Sequence, residues 1–230
     1  MKHIIEDIPI YWINLERSPK RREYMEKLLD NEEIINKRIE AIDGNLISEK
    51  IIQESNSKNL LKRDLTRYEI ACALSHIKAI QQAYDDGLEY VIIAEDDISF
   101  DYTENLTKSV KELIQNTKTL IQLIFFIKGI KQKIKMAQKY KNNDFYSHKN
   151  YWCAAFYVIH RDYMEEVLAR AHQVISVADD CERNFIFSNK TFCTNIPYVG
   201  LSFLQNNSNI NDKRTETNNM YMEGWYYANK

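Results

Sequence analysis

Short apolar runs separated by amphipathic stretches divide the chain into alternating strands and helices. Ile8 to Leu15 is rich in β-forming residues and predicts a buried first strand, and Lys37 to Ile42 predicts a second. Tyr90 to Ala94 is continuously apolar, which is typical of a strand covered on both faces. The remaining strand predictions are Leu120 to Ile127, Cys153 to Ile159, and a mixture of strand and loop over Phe192 to Leu204.

Three helices are predicted between these strands. The first begins at Pro19, behind a serine cap. The second begins at a capping box formed by Thr66 and Glu69, and Gly87 ends it. A third is predicted over Tyr163 to Ala171. Strands that alternate with helices predict an α/β fold, with a mainly parallel central sheet flanked by helices.

Length and composition fit one globular domain over residues 1–230. The chain is 44% hydrophobic and 28% charged, and its net charge of −2 argues against a nucleic-acid partner. Its four cysteines suit neither a zinc site nor a disulfide framework. No segment resembles a signal peptide or approaches the ~20 apolar residues of a membrane span. We therefore expect a cytoplasmic protein with reduced thiols.

The acidic triplet Glu95-Asp96-Asp97 follows directly on the apolar strand that ends at Ala94. Ligands of open α/β sheets bind beyond the carboxyl ends of strands. Carboxylates crowded there repel one another unless a cation compensates, and Mg²⁺ or Mn²⁺ bridging a diphosphate would do so. The alternative is an acidic turn or a helix cap. The apolar strand in front of the triplet favours the metal interpretation.

Other ways of holding a nucleotide are excluded by the glycines, which are too scattered for a P-loop or a GxGxxG fingerprint. Arg17 and Arg21, just past the first strand, are positioned to meet phosphates, although an ordinary solvated helix start has the same composition. His76 lies seven residues after Glu69 on one helix face, and the simplest interpretation is a helical histidine bonded to backbone.

A second acid pair, Asp179-Asp180, follows a short apolar run. Either carboxylate could serve as a general base, provided that it reaches the attacking hydroxyl. A helix cap at one of these positions is an equally good interpretation.

Several motifs in order resemble glycosyltransferase family 25, which includes bacterial lipooligosaccharide galactosyltransferases and the collagen galactosyltransferase domain. The matching stretches are Ile13-Asn14-Leu15 with Arg17 and Arg21, Ile39 to Gly44, Leu65 to Glu69, Cys72 to His76, and Val91 to Asp97. The resemblance is strongest in the first ~100 residues. The chain departs from the family at Tyr68 and Ala71, where glycines are frequent, at Ile77, and at Cys153, near an expected glycine.

The resemblance implies a GT-A-like fold, a UDP-sugar donor (usually UDP-galactose) and Mn²⁺ or Mg²⁺. It implies a nucleotide-sugar-binding half over residues 1–100 and an acceptor-side half over 101–230. The site residues that it implies are Glu95 and Asp97 for the metal, Asn14, Arg17 and Arg21 for the nucleotide, Asp96 for the ribose or sugar, Ser75 and His76 for the donor-side wall, and Asp180 or Asp179 as base.

Rival functions are a glucose or N-acetylhexosamine donor, an inactive nucleotide-sugar-binding module and a metal-dependent phosphohydrolase. The acceptor, whether glycan, glycolipid or protein, is left open by the sequence. The lysine-rich segment Lys128 to Lys141 suits either a solvated surface or a peripheral membrane contact. The aromatic side chains of Tyr221 and Trp225 to Tyr227 suit sugar stacking, self-association or a packed tail.

Overall fold

The structure is a computed structural model that describes residues 8–31, 34–100, 114, 120–123, 146–147, 153–170, 174, 176–179, 192–193 and 199–201. Asp180, the Lys128 to Lys141 segment and the C-terminal aromatic residues lie outside the described residues. Within the described part of the chain, no helix is long and apolar enough to cross a bilayer.

Seven strands form the main sheet, in the order β2-β1-β3-β7-β5-β8-β6, and β4 pairs with β9 in a separate ribbon. The strands are β1 (Ile10–Asn14), β2 (Asn36–Glu40), β3 (Tyr90–Glu95), β4 (Ile98–Phe100), β5 (Leu120–Gln122), β6 (Tyr146–Ser147), β7 (Phe156–His160), β8 (Phe192–Cys193) and β9 (Val199–Leu201). β1, β2, β3, β5 and β8 run one way and β6 and β7 the other, so the sheet is mixed but mostly parallel. The predicted fold class is therefore confirmed.

Helices cover both faces of this sheet. They are α1 (Pro19–Asn31), α2 (Glu49–Lys58), α3 (Arg67–Asp85) and α4 (Arg161–Arg170), with a 3₁₀ turn at Gly44–Leu46. The three predicted helices are confirmed. α2 was not predicted, because Ile51 and Ile52 are its only apolar residues and they do not form a stripe along the helix. Its sequence signal is Ser48, whose hydroxyl caps the helix by accepting from the Ile51 amide.

Alternate side chains of each central strand enter two separate cores. On β1, Tyr11 and Ile13 belong to the core that contains α3 and α4, whereas Ile10 and Trp12 belong to the core that contains α1. β3 divides its side chains in the same way, and residues 91–94 are fully buried. This double coverage explains why β3 is continuously apolar.

β7 runs antiparallel between β3 and β5, which the periodicity of the sequence does not indicate. Its first residue, Phe156, lies opposite Ala94 near the end of β3, and the Glu95 amide donates to the Ala155 carbonyl over 2.9 Å. The segment before β7 is thereby fixed beside the acidic triplet.

Candidate active site

A cleft opens at the carboxyl ends of β1, β2 and β3, against one face of α3. It encloses about 650 Å³, including space that is open to solvent. Ligands of α/β sheets bind at this edge because the loops converge there. Its lining consists of Ile13, Leu15, Arg17 and Arg21, then Ala41, Ile42 and Gly44, then Tyr68, Ala71, Cys72, Ser75 and His76, and finally Glu95, Asp96 and Asp97.

The start of α3 determines which of its side chains face the cleft. Thr66 Oγ1 accepts from the Glu69 amide over 3.2 Å, and the Glu69 carboxylate accepts from the Thr66 amide over 2.9 Å, so the predicted capping box is confirmed. Arg63 donates to both oxygens of the same carboxylate, over 2.8 and 2.6 Å. The helix register is then fixed, and the five lining residues of α3 recur every three or four positions on one face.

Two contacts join α3 to the loop after β2. The Ser75 hydroxyl accepts from the Ile42 amide over 2.9 Å and donates to the Ala71 carbonyl over 2.7 Å. Gly44 packs directly on Tyr68, since a Cβ at Gly44 would lie 2.6 Å from Tyr68 Cδ1 and 3.1 Å from its Cα. Ser75 thus lines the cleft while its hydroxyl is occupied with the backbone.

Asp96 is held inside the protein. Its Oδ2 accepts from Asn14 Nδ2 over 2.6 Å, and its Oδ1 forms an ion pair with Arg21. Burial raises the pKa of Asp96 in spite of the opposing effects of Arg21 and Asn14. Asn14 is 1% exposed, and its Oδ1 accepts from Arg38. Asp96 and Asn14 therefore connect β1, α1 and β3.

Asp97 has one carboxylate oxygen without a partner among the described residues. Oδ2 lies 3.3 Å from Arg21 Nη2, whereas Oδ1 is buried and accepts no hydrogen bond from any described residue. Burial and then repulsion from Glu95 raise the pKa of Asp97 to about 7, with smaller contributions from Asp96 and Asp179, against the attraction of Arg21. A buried carboxylate of this kind needs a positive partner.

Two side chains of α3 contact the Glu95 carboxylate. Its Oε1 lies 3.2 Å from His76 Nε2 and 3.9 Å from Cys72 Sγ, and His76 Nδ1 lies 3.2 Å from the Tyr157 hydroxyl. Burial favours the protonated carboxyl, but the hydrogen bond and charge of His76, with Arg21, leave the pKa of Glu95 below its usual value. The two ring nitrogens of His76 therefore contact the side chains of Glu95 and Tyr157.

The acidic triplet fits a divalent cation. The three consecutive carboxylates share one guanidinium, that of Arg21, as a positive neighbour. Asp97 Oδ1 has no partner among the described residues. Hard oxygen ligands of this kind suit Mg²⁺ or Mn²⁺, which would fill the position next to Asp97.

The sequence of the chain matches a family model described as glycosyltransferase family 25 (LPS biosynthesis protein) over residues 7–182. This range includes the acidic triplet and all of α3. The chain belongs to glycosyltransferase family 25. The predicted family is thereby confirmed, and it is a family of glycosyltransferases, the enzyme class that the sequence predicts.

Individual relatives of this family 25 chain include collagen-modifying enzymes. Human procollagen galactosyltransferase 2 is 33% identical over 46% of this chain and 18% of the relative. A glycosyltransferase 25 family member of Drosophila melanogaster is 28% identical over 65% of this chain and 26% of the relative. A rat protein described as probable inactive glycosyltransferase 25 family member 3 is 29% identical over 48% of this chain and 20% of the relative. The chain thus matches about a quarter or less of the length of these relatives.

Solved structures resemble the chain more distantly. A glycosyltransferase involved in glycosylation of the PBCV-1 major capsid covers 82% of each chain with 11% identity and a TM-score of 0.46. Mouse xyloside xylosyltransferase 1 covers 82% of this chain and 71% of its own, with 10% identity and a TM-score of 0.39.

Arg17 lies at the rim of the family 25 cleft, where it is 41% exposed and pairs with Asp43 over 2.7 Å. Asp43 in turn caps the 3₁₀ turn by accepting from the Asn45 amide over 2.9 Å. Of the three predicted nucleotide-binding side chains, Arg17 and Arg21 therefore line the cleft, whereas Asn14 is enclosed behind it.

Of the two predicted base residues, the structure describes only Asp179. Its carbonyl accepts from the Cys153 amide over 3.1 Å, and its exposed carboxylate accepts from the Ala154 amide over 3.3 Å. Its negative charge contributes to raising the pKa of both Asp97 and Cys72, so it lies near the triplet. The backbone of Cys153 has a φ of +154°, which residues other than glycine rarely adopt. The resemblance places a glycine near this position.

Cys72 and Tyr157 complete the surroundings of Glu95 but were not predicted as site residues. Cys72 lies four residues before His76 on a helix, so the spacing alone could have indicated that both side chains face the same way. Tyr157 comes from β7, and nothing local in the sequence links it to His76, which is 81 positions away.

Proposed function

We propose that this family 25 chain transfers galactose from UDP-galactose to a hydroxyl of a glycan, glycolipid or protein acceptor, with Mn²⁺ or Mg²⁺ as cofactor. The observation that carries the proposal is the buried Asp97 Oδ1, without a partner among the described residues, in an acidic triplet at the edge of the cleft. The names of relatives such as human procollagen galactosyltransferase 2 support galactose as the sugar.

In this proposal Glu95 and Asp97 hold the cation. When bound, the cation would neutralise charge that develops on the departing nucleoside diphosphate. Arg21 is fixed by Asp96 and adds positive charge next to that position. Arg17 would meet the nucleotide at the rim, with Ser75 and His76 in the donor-side wall, whereas the bonds of Asn14 and Asp96 suit positioning roles.

Asp179 or Asp180 would accept the proton of the attacking hydroxyl. The exposed carboxylate of Asp179 and its influence on Asp97 support a place near the acceptor. We further propose a donor-binding half over residues 1–100 and an acceptor-side half over 101–230. We also propose that the protein is cytoplasmic and contacts a membrane peripherally.

A second candidate function is an inactive nucleotide-sugar-binding module. One specific observation favours it, namely the rat relative described as probable inactive, which is 29% identical over 48% of this chain. Glucose and N-acetylhexosamine donors are the alternatives within the enzyme class.

A donor-hydrolysis screen tests both functions. UDP-galactose, UDP-glucose, UDP-N-acetylglucosamine and GDP-mannose are each incubated with Mn²⁺ or with chelator, and free nucleoside diphosphate is measured. We expect turnover of UDP-galactose that chelator and Asp97→Ala both abolish, while Asp85→Ala, an exposed change on α3, leaves it intact.

Metal-dependent UDP binding, measured by calorimetry without turnover in any acceptor mixture, would support the inactive module. The absence of both turnover and metal-dependent UDP binding would contradict the transferase proposal.

A further inference from the structure

A cysteine, a histidine and a glutamate lie close together in the wall of the cleft, near Asp97. One ligand atom from each of Cys72, His76 and Glu95 lies within 4.8 Å of the other two. Measured from Glu95 Oε1, the distances are 3.2 Å to His76 Nε2 and 3.9 Å to Cys72 Sγ. Thiolate, imidazole and carboxylate on one zinc ion have bond lengths of about 2.0–2.3 Å, so the three atoms would need only small movements to share it.

We propose that Cys72, His76 and Glu95 form a binding site for a thiophilic divalent cation such as Zn²⁺, which shares Glu95 with the hard-cation position at Asp97 but has sulfur and nitrogen ligands in place of Asp97. A sulfur and an imidazole ligand favour Zn²⁺ over Mn²⁺ or Mg²⁺. All three residues line the cleft, so a fourth position faces the cavity, as in zinc sites that keep a place for water or substrate.

The secondary structure holds the three ligands in this arrangement before any metal binds. Cys72 and His76 are four residues apart on α3, so their side chains lie one above the other. Glu95 is the last residue of β3, which packs against α3. A pre-formed arrangement costs less conformational entropy on binding than one that a loop would have to assemble.

Tyr157 supplies the outer contact that histidine ligands usually have. Its hydroxyl lies 3.2 Å from His76 Nδ1, and both residues are fully buried. Without metal, the ionised Glu95 oxygen can only accept, so His76 Nε2 donates to it. With metal, Nε2 would bind the cation and Nδ1–H would donate to the same hydroxyl, while the Cys72 thiol would release one proton to solvent.

Cobalt absorption tests the site without a donor or a turnover assay. Co²⁺ replaces Zn²⁺ and shows a thiolate-to-metal charge-transfer band when sulfur is a ligand. We expect one equivalent of Co²⁺ to give this band in the wild-type chain, Zn²⁺ to remove it by competition, and Cys72→Ser to abolish it. The matched controls Cys153→Ala, Cys181→Ala and Cys193→Ala, each made singly, should retain the band.

Two further variants define the site. Tyr157→Phe should weaken Zn²⁺ affinity about 10–100-fold, the usual effect of losing an outer contact. Asp97→Ala should leave the cobalt band unchanged even as it removes Mn²⁺-dependent UDP binding, so failure here is separable from failure of the transferase proposal. If Cys72→Ser does not fold, as judged by thermal unfolding in chelator, His76→Gln takes its place and should weaken Zn²⁺ affinity at least 10-fold.

A wild-type chain that shows no thiolate band overturns the proposal, as does a band that survives Cys72→Ser. So does a Zn²⁺ affinity that His76→Gln leaves unchanged.

Discussion

Two glycines beside opposite ends of α3 serve different physical needs. Gly44 has ordinary backbone angles but no room for a Cβ, because Tyr68 lies against it. Gly87, after α3, has φ of +78° and open space around it. The sequence predicts that Gly87 ends α3, whereas the need for glycine at position 44 is visible only in the packing of Tyr68 against it.

Substitutions at these glycines should separate the two causes. Gly44→Ala is expected to destabilise the chain by about 1–3 kcal/mol through overpacking, and Gly87→Ala by about 1–2 kcal/mol through its left-handed backbone. Asparagine tolerates that backbone, so Gly87→Asn should recover part of the loss, whereas Gly44→Asn should be no better than Gly44→Ala. Urea unfolding measures all four variants, and recovery by asparagine at Gly44 instead would contradict this account.

At the same scale, the sequence located the acidic triplet but could not divide the roles within it. The apolar run before Glu95 indicated a strand end with carboxylates beyond it. Which carboxylate is enclosed and which faces the cleft depends on Asn14 and Arg21, which contact Asp96 from more than 70 positions away. Such contacts leave no local pattern.

Among the elements, α3 contributes most to the cleft, and its C-terminal end is bonded to two strands. Its capping box was predictable from the spacing of Thr66 and Glu69, and the structure confirms it. At the other end, the cap residue Asp86 accepts from Tyr11 on β1 and from Lys37 on β2, each over 2.5 Å. The direction of β7 could not be predicted, because a run of apolar residues has the same pattern whether the strand pairs parallel or antiparallel to its neighbours.

The Asp86 contacts should make stability depend on pH in the acid range. The hydrogen bonds from Lys37 and then Tyr11 lower the pKa of Asp86 below its usual value. Its contribution to stability is therefore complete above the unfolded-state pKa of about 3.9 and is lost as pH falls further, towards the lower folded-state pKa. We expect Asp86→Asn to flatten the acid limb of a plot of unfolding free energy against pH.

The neighbouring variant Asp85→Asn provides the control, since the exposed carboxylate of Asp85 accepts from Gln81 and from no other described residue. An acid limb that Asp85→Asn flattens as much as Asp86→Asn would contradict the assignment.

For the molecule as a whole, the acidic triplet sets stability against function. Asp97 is crowded by like charge and has an oxygen without a partner among the described residues, whereas both oxygens of Asp96 are bonded to Asn14 and Arg21. Two neighbouring carboxylates should therefore respond to the same substitution in opposite directions.

In chelator, Asp97→Asn should raise the free energy of unfolding by roughly 0.5–2 kcal/mol, because it removes repulsion at a site built for a ligand. Asp96→Asn should lower it by about 3 kcal/mol, the low end for breaking a buried ion pair, since Arg21 keeps its contact with Asp97. Adding Mn²⁺ should stabilise the wild-type chain and leave Asp97→Asn unchanged. Thermal unfolding with and without Mn²⁺ measures these effects, and destabilisation by Asp97→Asn in chelator would show that the triplet is a structural network.

The parallel pairing of β1 with β3 also has a consequence for the order of folding. Ile10 lies opposite Ile92, and everything between them, including α1, β2, α2 and α3, must be spanned before that ladder can close. Contacts between residues so distant in sequence form slowly, because the conformational entropy of the intervening loop is lost before the contacts can stabilise the chain. During synthesis β1 cannot pair with β3 until β3 has emerged from the ribosome. Until then the cleft would lack the acidic triplet that begins at the end of β3.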